Sequence, residues 1–230
     1  LICFINWRGT GPATPEVPKP MPVRKGTFPA LSEVKTVRQL GGSTGAQLVE
    51  DRSGARFVMK TGASPEHLLT EAAVDEAYQV LGYDVPKLKV LESTRPTKLA
   101  EYIEGKTLRS YLRTATPAQA AKVKKEIQKG FVADALMGNW DVVGLEADNI
   151  LVDKKGKVWR IDNGGALNFR AQGAKKTAAQ WGKEVQELDT MLDKRINQSA
   201  AEIFEGISEE EILNQIEDLV KDGSFAAVII

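Results

Sequence analysis

Between Gly130 and Leu167 the chain reads GFVADALMGNWDVVGLEADNILVDKKGKVWRIDNGGAL. Two short apolar runs, Ile150–Val152 and Val158–Ile161, flank the turn Asp153-Lys154-Lys155-Gly156. That pattern predicts a hairpin. Ahead of it Val123, Ile127, Phe131 and Ala135 recur at helical spacing, with Leu136 and Met137 extending the stripe. The sequence therefore commits to a long helix, ending near Gly138-Asn139, and then a hairpin. Three polar residues fall at the joints. Asp141 follows the helix, Asn149 opens the first run and Asp162 closes the second.

A second ordered block lies upstream, LGGSTGAQLVEDRSGARFVMK, from Leu40 to Lys60. Apolar runs flank Gly41, Gly42 and Gly45, and a second turn, Asp51-Arg52-Ser53-Gly54, precedes a run ending in Lys60. This predicts a three-stranded meander. Glycines in its first turn let backbone N–H groups approach phosphate oxygens with no Cβ in the way. Lys60 would stand beside them as a point charge.

The rest of the chain reads as strands first and helices later, an α+β order rather than alternating βαβ units. Ser64-Pro65-Glu66 predicts a helix start, with the helix running to Leu81 and ending at Gly82. Strands are expected at Val85–Leu91 and Thr97–Ile103. Thr116-Pro117-Ala118-Gln119 is a capping box that starts the long helix, and Ser208-Glu209-Glu210-Glu211 is a second one. Trp181–Asn197 is expected as a further helix. Residues 1–30, with Pro12, Pro15, Pro18, Pro20 and Pro22, read as an arm or linker. Residues 31–105 and 106–230 then form the two structured parts.

Composition narrows the function. Lys plus Arg equals Asp plus Glu, 31 against 31, so no global field favours a nucleic acid or a membrane surface. One cysteine, Cys3, allows neither a disulfide framework nor a Cys-based metal site and suits a cytosolic protein, or an effector delivered to a cytosol. One histidine, His67, excludes most His-ligated metal sites, and it is expected at the surface near a helix start. No transmembrane span is found. The lack of an initiator Met is taken as the sign of a piece of a longer polypeptide.

The chain resembles the protein-kinase-like fold in its atypical branch, which holds HipA-type, phosphatidylinositol-kinase-like and actin-fragmin-kinase-like enzymes. The resemblance runs from Val34 to Gly223 through GGSTGAQLV, FVMK, LLTEAAVDEAYQVLGYDVP, LAEYIEGKTL, NWDVVGLEADNILV and VWRIDNGGAL. It implies a small antiparallel-sheet N-lobe and a mainly helical C-lobe, with ATP and Mg²⁺ as cofactors and a protein hydroxyl as acceptor. The glycine segment Gly41, Gly42, Ser43 and Gly45 would cover the phosphates, and Lys60 would pair with them. Glu71 would hold Lys60, with Glu76 as the alternative. Backbone groups from Glu101 to Ile103 would meet the adenine edge. Asp141 would orient the attacking hydroxyl, and Asn149 and Asp162 would hold the metal.

The chain departs from the family pattern at four places, the first being that no A-P-E triplet follows Asp162. Asn139-Trp140-Asp141 stands where H-R-D is usual, the step from Asp141 to Asn149 is longer than usual, and Asp162-Asn163-Gly164 replaces D-F-G. Each residue also has a structural alternative. Lys60 could be a surface lysine and Glu71 a solvated carboxylate. Asp141 could cap a turn, Asn149 could be a turn residue, and Asp162 could form an Asx-turn. Asp134, inside the helix, is expected to be a structural partner. Two functional alternatives stand beside the kinase reading: a kinase-fold adenylyltransferase, and a nucleotide-binding pseudokinase module of a larger protein.

Overall fold

The computed structural model describes residues 28–41, 45–91 and 93–222. The proline-rich arm and Gly42 and Ser43 of the glycine segment lie outside these residues, apart from 28–30. Strands β1 (Val34–Gly41), β2 (Ala46–Asp51), β3 (Arg56–Thr61), β4 (Leu88–Leu91) and β5 (Thr97–Glu101) form one antiparallel sheet in the order β1-β2-β3-β5-β4. The expected meander is its first three strands. In its second turn, Asp51 Oδ1 accepts from the Ser53 and Ala55 N–H groups at 2.8 and 3.0 Å. Strands β4 and β5 are shorter than the expected Val85–Leu91 and Thr97–Ile103.

Helix α1 (Pro65–Val80) packs on β4 and β5. Its start was legible: Ser64 accepts from the His67 N–H, and Pro65 opens the first turn. Val74, Ala77 and Tyr78 of α1 are buried with Val85. Val49, Phe57 and Leu99 fill the core on the sheet, with Phe28, Val34, Met59 and Leu91 packed around them.

The chain leaves the first sheet after Glu101 and enters a second at Gly105. Strands β6 (Gly105–Thr107), β7 (Ile150–Asp153) and β8 (Val158–Arg160) pair antiparallel in that order. The expected hairpin is β7–β8, closed by Asp153 Oδ1, which accepts from the Lys155 and Lys157 N–H groups at 2.8 and 3.0 Å. Around this sheet lie α2 (Leu108–Leu112), α3 (Pro117–Gln128), α4 (Phe131–Leu136), α5 (Glu187–Thr190), α6 (Gln198–Phe204) and α7 (Glu209–Asp222). Leu108, Ile127, Phe131, Ile150, Met191 and Phe204 are fully buried at its centre. No helix among the described residues is long and apolar enough to cross a membrane.

Two expected helices are corrected. The long helix is divided at Lys129-Gly130 into α3 and α4. The cause is Arg160, whose guanidinium crosses the break. Arg160 Nη2 donates to the Ile127 carbonyl at 3.2 Å, and a Cβ on Gly130 would lie 2.2 Å from that nitrogen. The expected helix over Trp181–Asn197 is mostly turns, with only α5 inside it. Asp193 Oδ1 accepts from the Arg195 N–H at 2.8 Å and Asn197 caps α6, so both side chains compete with a continuous helix for backbone donors. Both capping boxes form, Thr116 with Gln119 and Ser208 with Glu211.

Candidate active site

Register sets the first half of the site. Lys60 lies directly opposite Lys98 in the β3–β5 ladder, so both side chains project from the same face of the sheet. Lys98 is 5% exposed and forms an ion pair with Glu71 of α1, itself 2% exposed. Lys60 forms an ion pair with Asp162. The expected Lys60–Glu71 pair is therefore corrected: Lys98 claims Glu71, and Lys60 is turned toward Asp162. Glu76, the alternative partner, is half-buried and has no ion pair with Lys60.

The second half is the loop after α4. Asn197 Nδ2 donates to the Trp140 carbonyl at 2.7 Å and Ser199 Oγ to the Gly144 carbonyl at 2.8 Å, so the start of α6 fixes this loop. The long step from Asp141 to Asn149 is folded into consecutive turns, Gly144 N–H to the Asp141 carbonyl at 2.9 Å and Ala147 N–H to the Gly144 carbonyl at 3.1 Å. Asn149 is thereby returned to Asp141. Its Nδ2 donates to the Asp141 carbonyl at 2.8 Å and to Asp141 Oδ2 at 3.3 Å.

Asp162 ends the site. It follows β8 with φ 58° and ψ 49°, in the left-handed region. Its side chain keeps 41% of its exposure while standing in a surround of charged groups. Burial pushes its carboxyl up, but Lys60 and Lys98 outweigh that and hold it below the usual carboxylate range. Burial would lower the Lys98 ammonium, but Glu71, Asp162 and Asp75 outweigh it and raise it. Asp141 is pushed up to about 6, first by burial and then by the negative charge of Asp162, with the Asn149 hydrogen bond opposing.

The structure thus brings together Lys60, Asp162, Asp141, Asn149, Lys98 and Glu71. In the glycine segment, Gly41 pairs with Ala46 and Gly45 carries a φ of +63°. At Glu101–Ile103 the Glu101 N–H is taken by the Lys87 carbonyl at 2.9 Å and the Tyr102 N–H by the Arg56 carbonyl at 3.2 Å. Of the N–H groups among the backbone groups expected to meet a base there, that of Ile103 has no backbone partner among the described residues.

Asp141, Asn149 and Asp162 offer oxygen donors only, which suits a hard cation such as Mg²⁺ completed by water and phosphate. The mutual electrostatic strain between Asp141 and Asp162 is what a cation would relieve. Among the described residues no cluster of three or more His, Cys, Asp or Glu is arranged to hold a metal, so a site here depends on Asn149 and on the ligand's own oxygens.

Several site residues were not legible as such. Lys98 was the most readable of them: a lysine inside an apolar strand run is costly unless paired. His67 is corrected from surface to buried, 7% exposed, and its Nε2 donates to the Gly164 carbonyl at 2.9 Å. Asp75, Asn139 and Asn163 are buried and hydrogen-bonded to one another, which only tertiary structure reveals. Asp134 is the structural partner expected of it, fully buried and bonded by Arg160 and by the Tyr78 hydroxyl.

No family model matches the chain, and no curated protein does. Among solved structures, the Cydia pomonella granulovirus kinase PK-1 is similar at a TM-score of 0.46 and 19% identity, over 58% of this chain and 52% of that one. The matched part is thus about half the length of that structure. A likeness this slight says nothing of activity.

Proposed function

We propose that this chain is an ATP- and Mg²⁺-dependent phosphotransferase of the atypical protein-kinase type, acting on a protein Ser or Thr hydroxyl. The observation that carries the reading is the meeting of Lys60 and Asp162 beside the Asp141–Asn149 pair. A lysine from an inner strand, two carboxylates and a carboxamide brought together make the equipment for handling a polyphosphate. In this reading residues 31–105 hold the nucleotide and residues 106–230 bring the catalytic loops.

The roles follow from chemistry. Lys60 sets a positive charge against the α- and β-phosphates, and the glycine segment Gly41, Gly42, Ser43 and Gly45 would cover them. The Ile103 N–H meets the adenine edge. Asn149 and Asp162 would hold Mg²⁺, which supplies charge neutralisation on the phosphate oxygens when bound. Asp141 accepts a hydrogen bond from the acceptor hydroxyl and orients it. The hydroxyl oxygen forms its bond to the γ-phosphorus as the bond to the β–γ bridging oxygen breaks. ADP leaves, and the hydroxyl proton passes to Asp141 or to solvent. Helix carboxylate Glu71 acts on this site through Lys98.

One observation favours a second reading, a nucleotide-binding module without turnover. Glu71 is committed to Lys98, so Lys60 lacks the helix carboxylate that would free it from Asp162. Incubation with ATP labelled at either the γ- or the α-phosphate, with and without Mg²⁺ and a cell lysate, separates the readings. Transfer of the γ label that is lost in Asp162→Ala supports the kinase. Transfer of the α label means adenylylation, and binding with no transfer means the module. Asp162→Ala should also weaken Mg·ATP binding in calorimetry, and an unchanged, metal-independent affinity would remove Asp162 from the metal site.

A further inference from the structure

A cavity of about 180 Å³ opens between the end of α1, helix α3 and the β7–β8 turn, and no described residue that lines it belongs to the site above. Among its charged lining residues the buried one is Arg160, 2% exposed. The guanidinium lies over the Tyr83 ring at 4.8 Å, and the Tyr83 hydroxyl is held by donating to the Lys129 carbonyl at 3.0 Å. Nε and Nη2 donate to the two Asp134 oxygens, and Nη2 donates also to the Ile127 carbonyl. Nη1 has no hydrogen-bond partner among the described residues. It is not sealed from solvent either, since the sealed and unpartnered side-chain atoms among these residues are His67 Nδ1 and Gln128 Oε1. A guanidinium clamped on three sides therefore keeps one nitrogen, with its N–H donors, open to the cavity that it lines.

The rim supplies charge. Lys122, Lys155 and Lys157 line the cavity together with two carboxylates, Asp84 and Glu126. Both carboxylates are already paired, Asp84 with Lys157 at 2.7 Å and Glu126 with Lys129 at 2.6 Å. Lys122 and Lys155 make no ion pair among the described residues. The C-terminal end of a helix repels an anion through its open carbonyls. Here the Ala77, Tyr78 and Gln79 carbonyls of α1 accept from the Leu81, Tyr83 and Gly82 N–H groups. Asp134 balances the Arg160 charge, so Arg160 contributes fixed N–H donors and the two lysines contribute unmatched charge. A phosphoryl group, with about two negative charges at neutral pH and three acceptor oxygens, answers both. A carboxylate, with one charge, would leave a lysine unmatched.

We propose that this cavity binds a phosphoryl group, carried by a small phosphate compound or by a phosphorylated side chain, with Arg160 Nη1 at its floor and Lys122 and Lys155 at its rim. It is a second anion site, separate from the Lys60–Asp162 centre, and it stands whether or not the chain transfers phosphate.

Titration of the whole chain with inorganic phosphate at constant ionic strength, followed by NMR at the Gly156 amide and the Arg160 guanidinium, tests the site. Both signals should move and saturate. Lys122→Ala and Lys155→Ala replace exposed side chains, and each should weaken binding several-fold, as expected for the loss of one exposed charge pair. Lys155→Glu should remove saturation. A second titration with N-acetyl-phosphoserine amide separates the two sources. Clearly tighter binding than inorganic phosphate assigns a phosphorylated side chain, and equal or weaker binding assigns a small phosphate compound. Shifts that stay linear in phosphate, or an affinity that Lys155→Glu leaves unchanged, overturn the proposal. So do shifts confined to the surroundings of Lys60, since the phosphate would then occupy the centre described above.

Discussion

Lys60 and Lys98 face each other across two strands, an arrangement that destabilises a sheet unless each charge finds its own counter-ion. The deeper lysine takes Glu71 and the outer one takes Asp162. Glu71→Gln leaves Lys98 buried beside a neutral amide, and breaking a buried pair on one side costs about 3–5 kcal/mol. Urea unfolding should show that loss, and a midpoint equal to the native one would mean that Lys98 finds another carboxylate. Asp141 makes a different prediction. Asp141→Asn keeps shape and removes charge, so it should cut phosphoryl transfer by about 10²-fold or more while weakening Mg·ATP binding far less, by no more than the Asp141 inflection shifts with Mg²⁺. Its carboxyl should titrate near pH 6 in the free chain, because burial and Asp162 favour the proton. Added Mg²⁺ favours the carboxylate and should move that inflection down, which carboxyl NMR can follow. An inflection indifferent to Mg²⁺ would place the cation elsewhere.

Elements whose causes are local were readable from the chain. The first meander, the Ser64 cap and Pro65 start of α1, the Thr116 and Ser208 capping boxes and the β7–β8 turn each depend on residues a few positions apart. The positions of Asp141, Asn149 and Asp162 at the joints were legible for the same reason, since each sits at the end of a readable element. The break between α3 and α4 was not, because its cause, Arg160, lies 33 residues from the Ile127 carbonyl that it binds. Nor was the claim of Lys98 on Glu71, which depends on the β3–β5 register. Gly130 carries a prediction at this scale. In Gly130→Ala the new Cβ must displace the guanidinium that binds Asp134 Oδ1 and Oδ2 at 2.8 and 2.9 Å. Disturbing that fully buried pair should cost about 3 kcal/mol, although alanine is the better helix former by about 1 kcal/mol. Thermal unfolding that finds Gly130→Ala equal to or more stable than the native chain would show that Arg160 can move aside freely.

The sheet and α1 are joined to the later elements by two layers of different chemistry. One is apolar, Val74, Ala77 and Tyr78 against Ala133, Met137 and Ala166. The other is charged, with Lys98 facing two buried carboxylates, Glu71 and Asp75, and Asp162 near by. A single lysine cannot neutralise both, so the second carboxylate keeps its proton, and burial places that proton on Asp75 with a pKa of about 8. In the unfolded chain an aspartate ionises near pH 4. The folded state therefore holds more protons than the unfolded state between about pH 4 and about pH 8, and stability falls as pH rises through that window, then levels off. Global charge should not mask the effect, because acidic and basic residues balance at 31 each and self-repulsion is small near neutrality. Asp75→Asn carries no proton to lose. Relative to the native chain it should gain stability steadily from pH 5 to pH 8 while keeping the Asn163 bond through its amide oxygen. Urea unfolding at a series of pH values checks this, and curves that stay parallel for the two proteins would show that Asp75 is ionised in the fold, with its charge shared by Lys98.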